Sequence, residues 1–258
     1  MPDALRLAIG TLTRVPVLHP RTVDARAARG AMLMAPIVGV LIALVIGGIV
    51  QLLAYRVSPA FGPLILAALA IAAMAYLTRG LHLDGLADTA DALGSGRPAA
   101  QALDIARRSD IGPFGVVAIV LVLLVQVVAY AGVISIGAAI IGLVIASGTG
   151  RLAITLACVR GVPAARPDGL GATVAGSVPP AAFVVVAVAW TAACAAAASV
   201  TAIHPLTAVA AVLGSLIVGA VVVRIAIRRL GGITGDVLGA TMELATTSAL
   251  VILVLLPT

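Results

Sequence analysis

Three aspartates, Asp84, Asp88 and Asp91, stand at i, i+4 and i+7 in the run GLHLDGLADTAD, residues 80–91. At about 100° per residue, a helix projects all three within one narrow arc. Carboxylates on one stripe repel each other unless a cation sits among them. Oxygen-only donors favour a hard cation, Mg2+ or Mn2+. The competing reading is a solvated acidic helix end, but such faces normally mix in lysine and glutamate, and this run has neither. Gly85 and Ala87 are small and let a bulky substrate approach. His82 abuts the block; a lone histidine is more often structural than catalytic, and it is kept as a catalytic candidate beside the three aspartates.

A second block, GGITGDVLGA at residues 231–240, is followed by Glu243. Gly231, Gly232 and Gly235 allow a tight turn whose backbone N–H groups can cradle an anion. A helix starting near Thr234 to Asp236 would turn its positive end to the same place. Gly231, Gly232, Thr234 and Gly235 are therefore substrate-binding candidates. Asp236 and Glu243, again seven apart, join Asp84, Asp88 and Asp91 as candidate metal ligands. The bland alternative is a glycine-rich hairpin between two membrane helices. In ARRSDIGPFG, residues 106–115, Arg107 and Arg108 suit bidentate phosphate contact, against the alternative of ordinary juxtamembrane charge. RPDGLGA, residues 166–172, is either a substrate-touching loop or a plain turn. Arg151, inside an apolar stretch, either snorkels to the membrane face or points at the acidic site. His19 and His204 have no assigned role.

These residues must be positioned by a membrane bundle. Of 258 residues 62% are hydrophobic, and the mean hydropathy is +1.22. A soluble domain is typically about 45–50% apolar, so lipid has to take up the excess. The sequence predicts an all-α polytopic bundle of about seven spans, near 31–54, 60–78, 114–131, 134–157, 180–200, 206–227 and 241–256. Residues 1–258 read as a single integral membrane domain. Its first 30 residues form a cytoplasmic segment, with Leu5, Ile9 and Leu12 as the apolar face of a possible interfacial helix. That segment has no apolar stretch after a short basic start, so it does not read as a signal peptide.

The chain has no lysine; its sixteen basic residues are all arginine and the net charge is +6. In a soluble protein this would suggest nucleic acid. Here a cytoplasmic-face bias and a phosphate-bearing substrate explain it better, and no nucleic-acid partner is expected. With the N-terminus inside, loops 79–113, 158–179 and 228–240 fall on the cytoplasmic face with most of the arginines. The same loops hold or border every acidic residue except Asp3 and Asp24. The expected location is the cytoplasmic (inner) membrane, with the active site at its cytoplasmic face. Cys158 and Cys194 have neither zinc nor disulfide spacing and read as small hydrophobes.

With these motifs in view, the chain resembles the cobalamin synthase family, membrane enzymes also called adenosylcobinamide-GDP ribazoletransferases. The resemblance runs over essentially the whole chain: the TRVPV-like segment (13–17), HLDGLADTAD, IGPFG, a GLG loop and GGITGDVLGA with its later glutamate. One departure is Arg108-Ser109-Asp110, where the family often has Asp-Ser-Arg; the exchanged charges are compatible with a preserved ion pair. The resemblance implies a Mg2+-dependent phosphotransferase whose substrates are adenosylcobinamide-GDP and α-ribazole or its 5′-phosphate. A ribose hydroxyl attacks the cobinamide-side phosphorus and GMP leaves. Asp84, Asp88 and Asp91 would hold the metal, or one of them would act as general base, and Arg107 or Arg108 would steady phosphate. Two other readings compete. A CDP-alcohol or prenyl-type transferase would require a lipid-chain substrate. A transporter would require midplane acidic residues and inverted repeats, neither of which the sequence offers.

Overall fold

A computed structural model describes residues 2–22, 24–108 and 110–256. Among these residues the chain is helical, and its extended pairings are two isolated bridges, Val159 with Val178 and Ala164 with Ile233. The helices are α1 (Asp3–Leu12), α2 (Ala25–Ala54), α3 (Gly62–Leu77), α4 (Leu81–Gly94), α5 (Ala99–Ile105), α6 (Pro113–Ser135), α7 (Ala139–Ala157), α8 (Gly169–Val174), α9 (Pro180–Ala198), α10 (Pro205–Leu230) and α11 (Gly235–Leu255). Six of them, α2, α6, α7, α9, α10 and α11, are long and apolar enough to cross a membrane; α3 and α4 add a seventh only as a pair bent by 88°. The polytopic helical bundle expected from the sequence is the observed architecture.

The bend corrects the expected second span. Helix α3 has 16 residues, about 24 Å at ~1.5 Å per residue. It ends where Arg79 and Gly80 both take left-handed φ values, 58° and 66°. The aspartate block is therefore a separate helix turned across the end of α3. The last span also begins earlier than residue 241. Thr234 caps α11 by accepting from the Val237 N–H at 3.2 Å, so Asp236 and Glu243 both lie within the helix. Likewise α2 starts at Ala25 because the Asp24 carboxylate accepts from the Ala27 N–H at 2.7 Å. Helix α6 runs through Gly132 and stops just before Gly137, whose φ is 75°. In α1 the buried residues are Leu7, Ala8 and Leu12 rather than the Leu5–Ile9–Leu12 stripe, because the helix docks on α2.

Helices α7 and α11 occupy the centre, with α2, α10 and α4 packed on them. Large side chains such as Leu52 and Val188 stay 71% and 63% exposed, which suits a lipid solvent. Pro36 sits inside α2 without ending it. Proline cannot donate to the carbonyl four residues back, that of Met32. The Thr155 hydroxyl of α7 donates to that carbonyl instead, at 2.7 Å, the kind of repair that lets proline persist in lipid-embedded helices. Cys158 and Cys194 are free and buried. Burial pushes the Cys158 thiol up, away from the thiolate that reactivity requires.

Candidate active site

The site is built where α4 crosses the start of α11. A Cβ on Gly85 would lie 2.7 Å from the Asp236 carbonyl oxygen, and one on Gly239 would lie 2.9 Å from that of His82. Only hydrogen at these two positions permits the crossing, so the backbones of the two acidic blocks touch. A third strand of chain completes the platform. Ile233 N–H donates to the Pro163 carbonyl and Ala165 N–H to that of Ile233, both at 2.9 Å. The loop before α8 is thereby fixed against the glycine-rich turn.

A cleft of about 410 Å3 opens over this platform. The end of α1 (Thr11 and Leu12), His82, Arg107, Arg166, Asp168 to Gly171, and Thr234 to Asp236 line it. Thr234 and Gly235 place the first N–H groups of α11 at the cleft, as the sequence suggested. Asp236 is half-buried beside them, and its carboxylate accepts from the Thr234 hydroxyl at 3.2 Å. Along α4, Asp84 is exposed, Asp88 half-buried and Asp91 buried. The charges acting on Asp88 are those of Asp84, Asp236 and Asp91, opposed by Arg166. The carboxylates of the two blocks therefore lie within each other's fields. Asp88 lines a separate cavity of about 290 Å3 with Arg108 and Asp110. Ser109, between those two in the exchanged run, lies outside the described residues.

Several candidates have other engagements. The Asp91 carboxylate accepts from the Gly112 N–H at 2.7 Å and the Gly115 N–H at 2.9 Å. It caps the first turn of α6, using both oxygens, and does not project with Asp84 and Asp88 as a free ligand. Glu243 lies two turns deeper than Asp236 and accepts from the Gln126 amide at 2.8 Å, facing α6 and not the cleft. Gly231 and Gly232 are outside the cleft lining; Gly231 ends α10 with φ 86°. Arg151 neither snorkels nor lines the cleft. It is fully buried, and its Nη1 donates to the Ser147 hydroxyl at 2.6 Å. Among the described residues its Nε and Nη2 and both ring nitrogens of His82 have no hydrogen-bond partner, and its charge acts on His82 and Glu243. Arg107 is held bidentately by Asp168, at 2.8 and 3.0 Å from Nη2. Sequence reasoning reaches Asp168 only as part of the 166–172 loop and Leu12 only as an apolar position of the first helix, and it does not single out Thr11.

Among the described residues, no three His, Cys, Asp or Glu side chains form a ready metal cluster. Magnesium is commonly held by one or two carboxylates together with substrate phosphates and water. Asp84, Asp88 and Asp236, mutually repelling and oxygen-only, fit that pattern.

The model of the cobalamin-5-phosphate synthase family matches residues 4–254. The chain belongs to this family. Its relatives in the cobalamin-5-phosphate synthase family include a protein of Frankia casuarinae, 40% identical over 96% of this chain and 93% of its own length. A Nocardioides protein is 38% identical over 97% of both chains, and a Bradyrhizobium diazoefficiens protein 36% identical over 92% of this chain and 87% of its own. All three are named adenosylcobinamide-GDP ribazoletransferase. No solved structure matches the chain.

Proposed function

We propose that the protein joins adenosylcobinamide-GDP to α-ribazole or its 5′-phosphate, yielding adenosylcobalamin or its 5′-phosphate and GMP. The family match and the activity named for the relatives support this reading. The observation that carries it is the backbone contact of α4 with the start of α11, which brings the α4 carboxylates into the field of Asp236 beside a cleft lined by Asp236, Arg107 and Arg166. A hydroxyl of the ribazole ribose attacks the cobinamide-side phosphorus. A new P–O bond forms, the bond to GMP breaks, and the hydroxyl proton passes to a carboxylate. Asp84, Asp88 and Asp236 would hold Mg2+ or Mn2+. The ion, when bound, neutralises the diphosphate and the charge on departing GMP.

The chain's own residues supply the rest. The first N–H groups of α11 favour a phosphate at the cleft through free donors and the helix dipole. Arg166 faces the cleft, and Arg107 reaches the phosphate by exchanging Asp168 for it. His82 belongs to the cleft wall, where its ring nitrogens are buried and unpartnered among the described residues. Purified protein given adenosylcobinamide-GDP, α-ribazole and Mg2+ is expected to release GMP in step with cobalamin. Chelation should stop the release and Mg2+ or Mn2+ restore it. Absence of GMP with all components present would overturn the reading.

The same reading places the cleft at the cytoplasmic face of the inner membrane, with the N-terminus inside. The ends of α7 and α10 and the starts of α2, α6 and α11 then share that face, and the arginine-rich loops with them. In a variant without Cys158 and Cys194, single cysteines at positions 95 and 57 are expected to label from opposite sides. Labelling of both from one side would refute the orientation.

A further inference from the structure

A second cleft, of about 400 Å3, lies between α1, the extended segment after it and the α3–α4 elbow. Thr11 lines both this cleft and the one described above. Its ionisable lining is Arg6, Arg14, Arg79 and His19, with no acid among the described residues. Each arginine comes from a different segment and is fixed there. Arg79 holds its left-handed backbone and donates from Nη2 to the Gly10 carbonyl at 2.8 Å. The Arg14 guanidinium lies 4.4 Å above the Tyr76 ring centroid, and the Arg14 backbone N–H donates to the Leu77 carbonyl at 2.6 Å.

Arg6 has a buried Nε without a hydrogen-bond partner among the described residues. The nearest acid, Asp3, is 3.7 Å from Arg6 Nη1 but accepts from the Arg21 N–H and the Thr22 hydroxyl. Those donors hold the Asp3 carboxyl below its ordinary range, the Arg21 N–H foremost. Three guanidinium groups gathered around one cavity repel each other unless an anion lies among them. The left-handed backbone of Arg79 is strained and is maintained only by its surroundings. Beside the cleft, Val15, Leu18 and Tyr76 are 53%, 76% and 64% exposed, an apolar rim next to a basic hollow.

We propose that this cleft is an anion site for a phosphate-bearing group, and the apolar rim favours the headgroup of an anionic membrane lipid. Such a lipid would brace the elbow that sets α4 across α3, and it would bind apart from Arg107 and Arg166. The inference does not depend on the reaction proposed above.

Native mass spectrometry of the full chain in neutral detergent tests it, with phosphatidylglycerol, chain-matched phosphatidylcholine, and inorganic phosphate as probes. Phosphatidylglycerol should be retained over phosphatidylcholine. Arg6→Gln and Arg14→Gln should each weaken that retention about fivefold, the equivalent of about 1 kcal/mol per charge near a membrane surface. The pair Arg228→Gln and Arg229→Gln, at the exposed end of α10, should leave it unchanged. Retention of inorganic phosphate lost in the same two variants would support the anion site with a soluble source. Equal retention of all probes, or equal loss in the α10 pair, would overturn it. If the Arg6 and Arg14 variants do not fold, the wild type still decides. Phosphatidylglycerol vesicles or phosphate should shield Arg6 and Arg14 from phenylglyoxal, and modification unchanged from phosphatidylcholine vesicles without phosphate would refute the proposal.

Discussion

Asp84→Ala and Asp88→Ala are each expected to lower turnover by roughly 10²–10³-fold, the scale of losing one preorganised charge-stabilising group. Both variants should insert and fold as the wild type does. Asp84 is exposed and Asp88 only half-buried, and among the described residues no side-chain hydrogen-bond partner is orphaned by their loss. Each removal also relieves repulsion, since Asp88 lies in the fields of Asp84, Asp236 and Asp91. Mg2+ or Mn2+ should bind more weakly to either variant, as read by the metal concentration needed for half-maximal GMP release. Asp91→Ala should behave differently. It leaves the Gly112 and Gly115 N–H groups without acceptors, at about 1–3 kcal/mol for each buried group left unpaired. Its signature is therefore a lowered melting temperature. Near-normal turnover in both the Asp84 and Asp88 variants would remove these carboxylates from the mechanism.

Gly85→Val should be nearly as damaging to activity although it removes no functional group. A Cβ at this position meets Asp236 backbone atoms at 2.7 to 3.2 Å. Backbone cannot swing aside as a side-chain tip can, so α4 and α11 must separate. A displacement of about 1 Å between groups that act together can cost about 10²-fold in rate. Gly48→Ala is the matched control, because a Cβ there meets nothing within 4 Å. Loss of GMP release in Gly85→Val, with Gly48→Ala at wild-type rate and both variants inserted, is the expected pattern. If Gly85→Val kept full activity, the two acidic blocks would have separate jobs.

The sequence by itself determined the membrane bundle, because apolar runs of span length report directly on the solvent around a helix. It also marked the segments to which chemistry is assigned under the proposed function. Charge is expensive in so apolar a chain, and periodic spacing alone marks Asp84 and Asp88. The start of α11 near Thr234 to Asp236 was likewise legible, since the signal lies in a few adjacent residues. What only tertiary structure decided was the work of residues with the same local signature. Asp91 sits on the same stripe as Asp84 and Asp88, yet the approaching start of α6 takes both its oxygens. Glu243 repeats the spacing of the first block, yet two helical turns carry it past the cleft to Gln126. Gly231 and Gly232 look like an anion cradle, but Gly232 is pressed against the backbone of Pro163 to Ala165, where a Cβ would lie 2.4 Å from the Pro163 carbonyl oxygen. The elbow at Arg79 and Gly80 was hidden because hydropathy does not register a change of helix direction. Helical periodicity reports which face a side chain occupies. Only the packing of distant segments decides what that face meets.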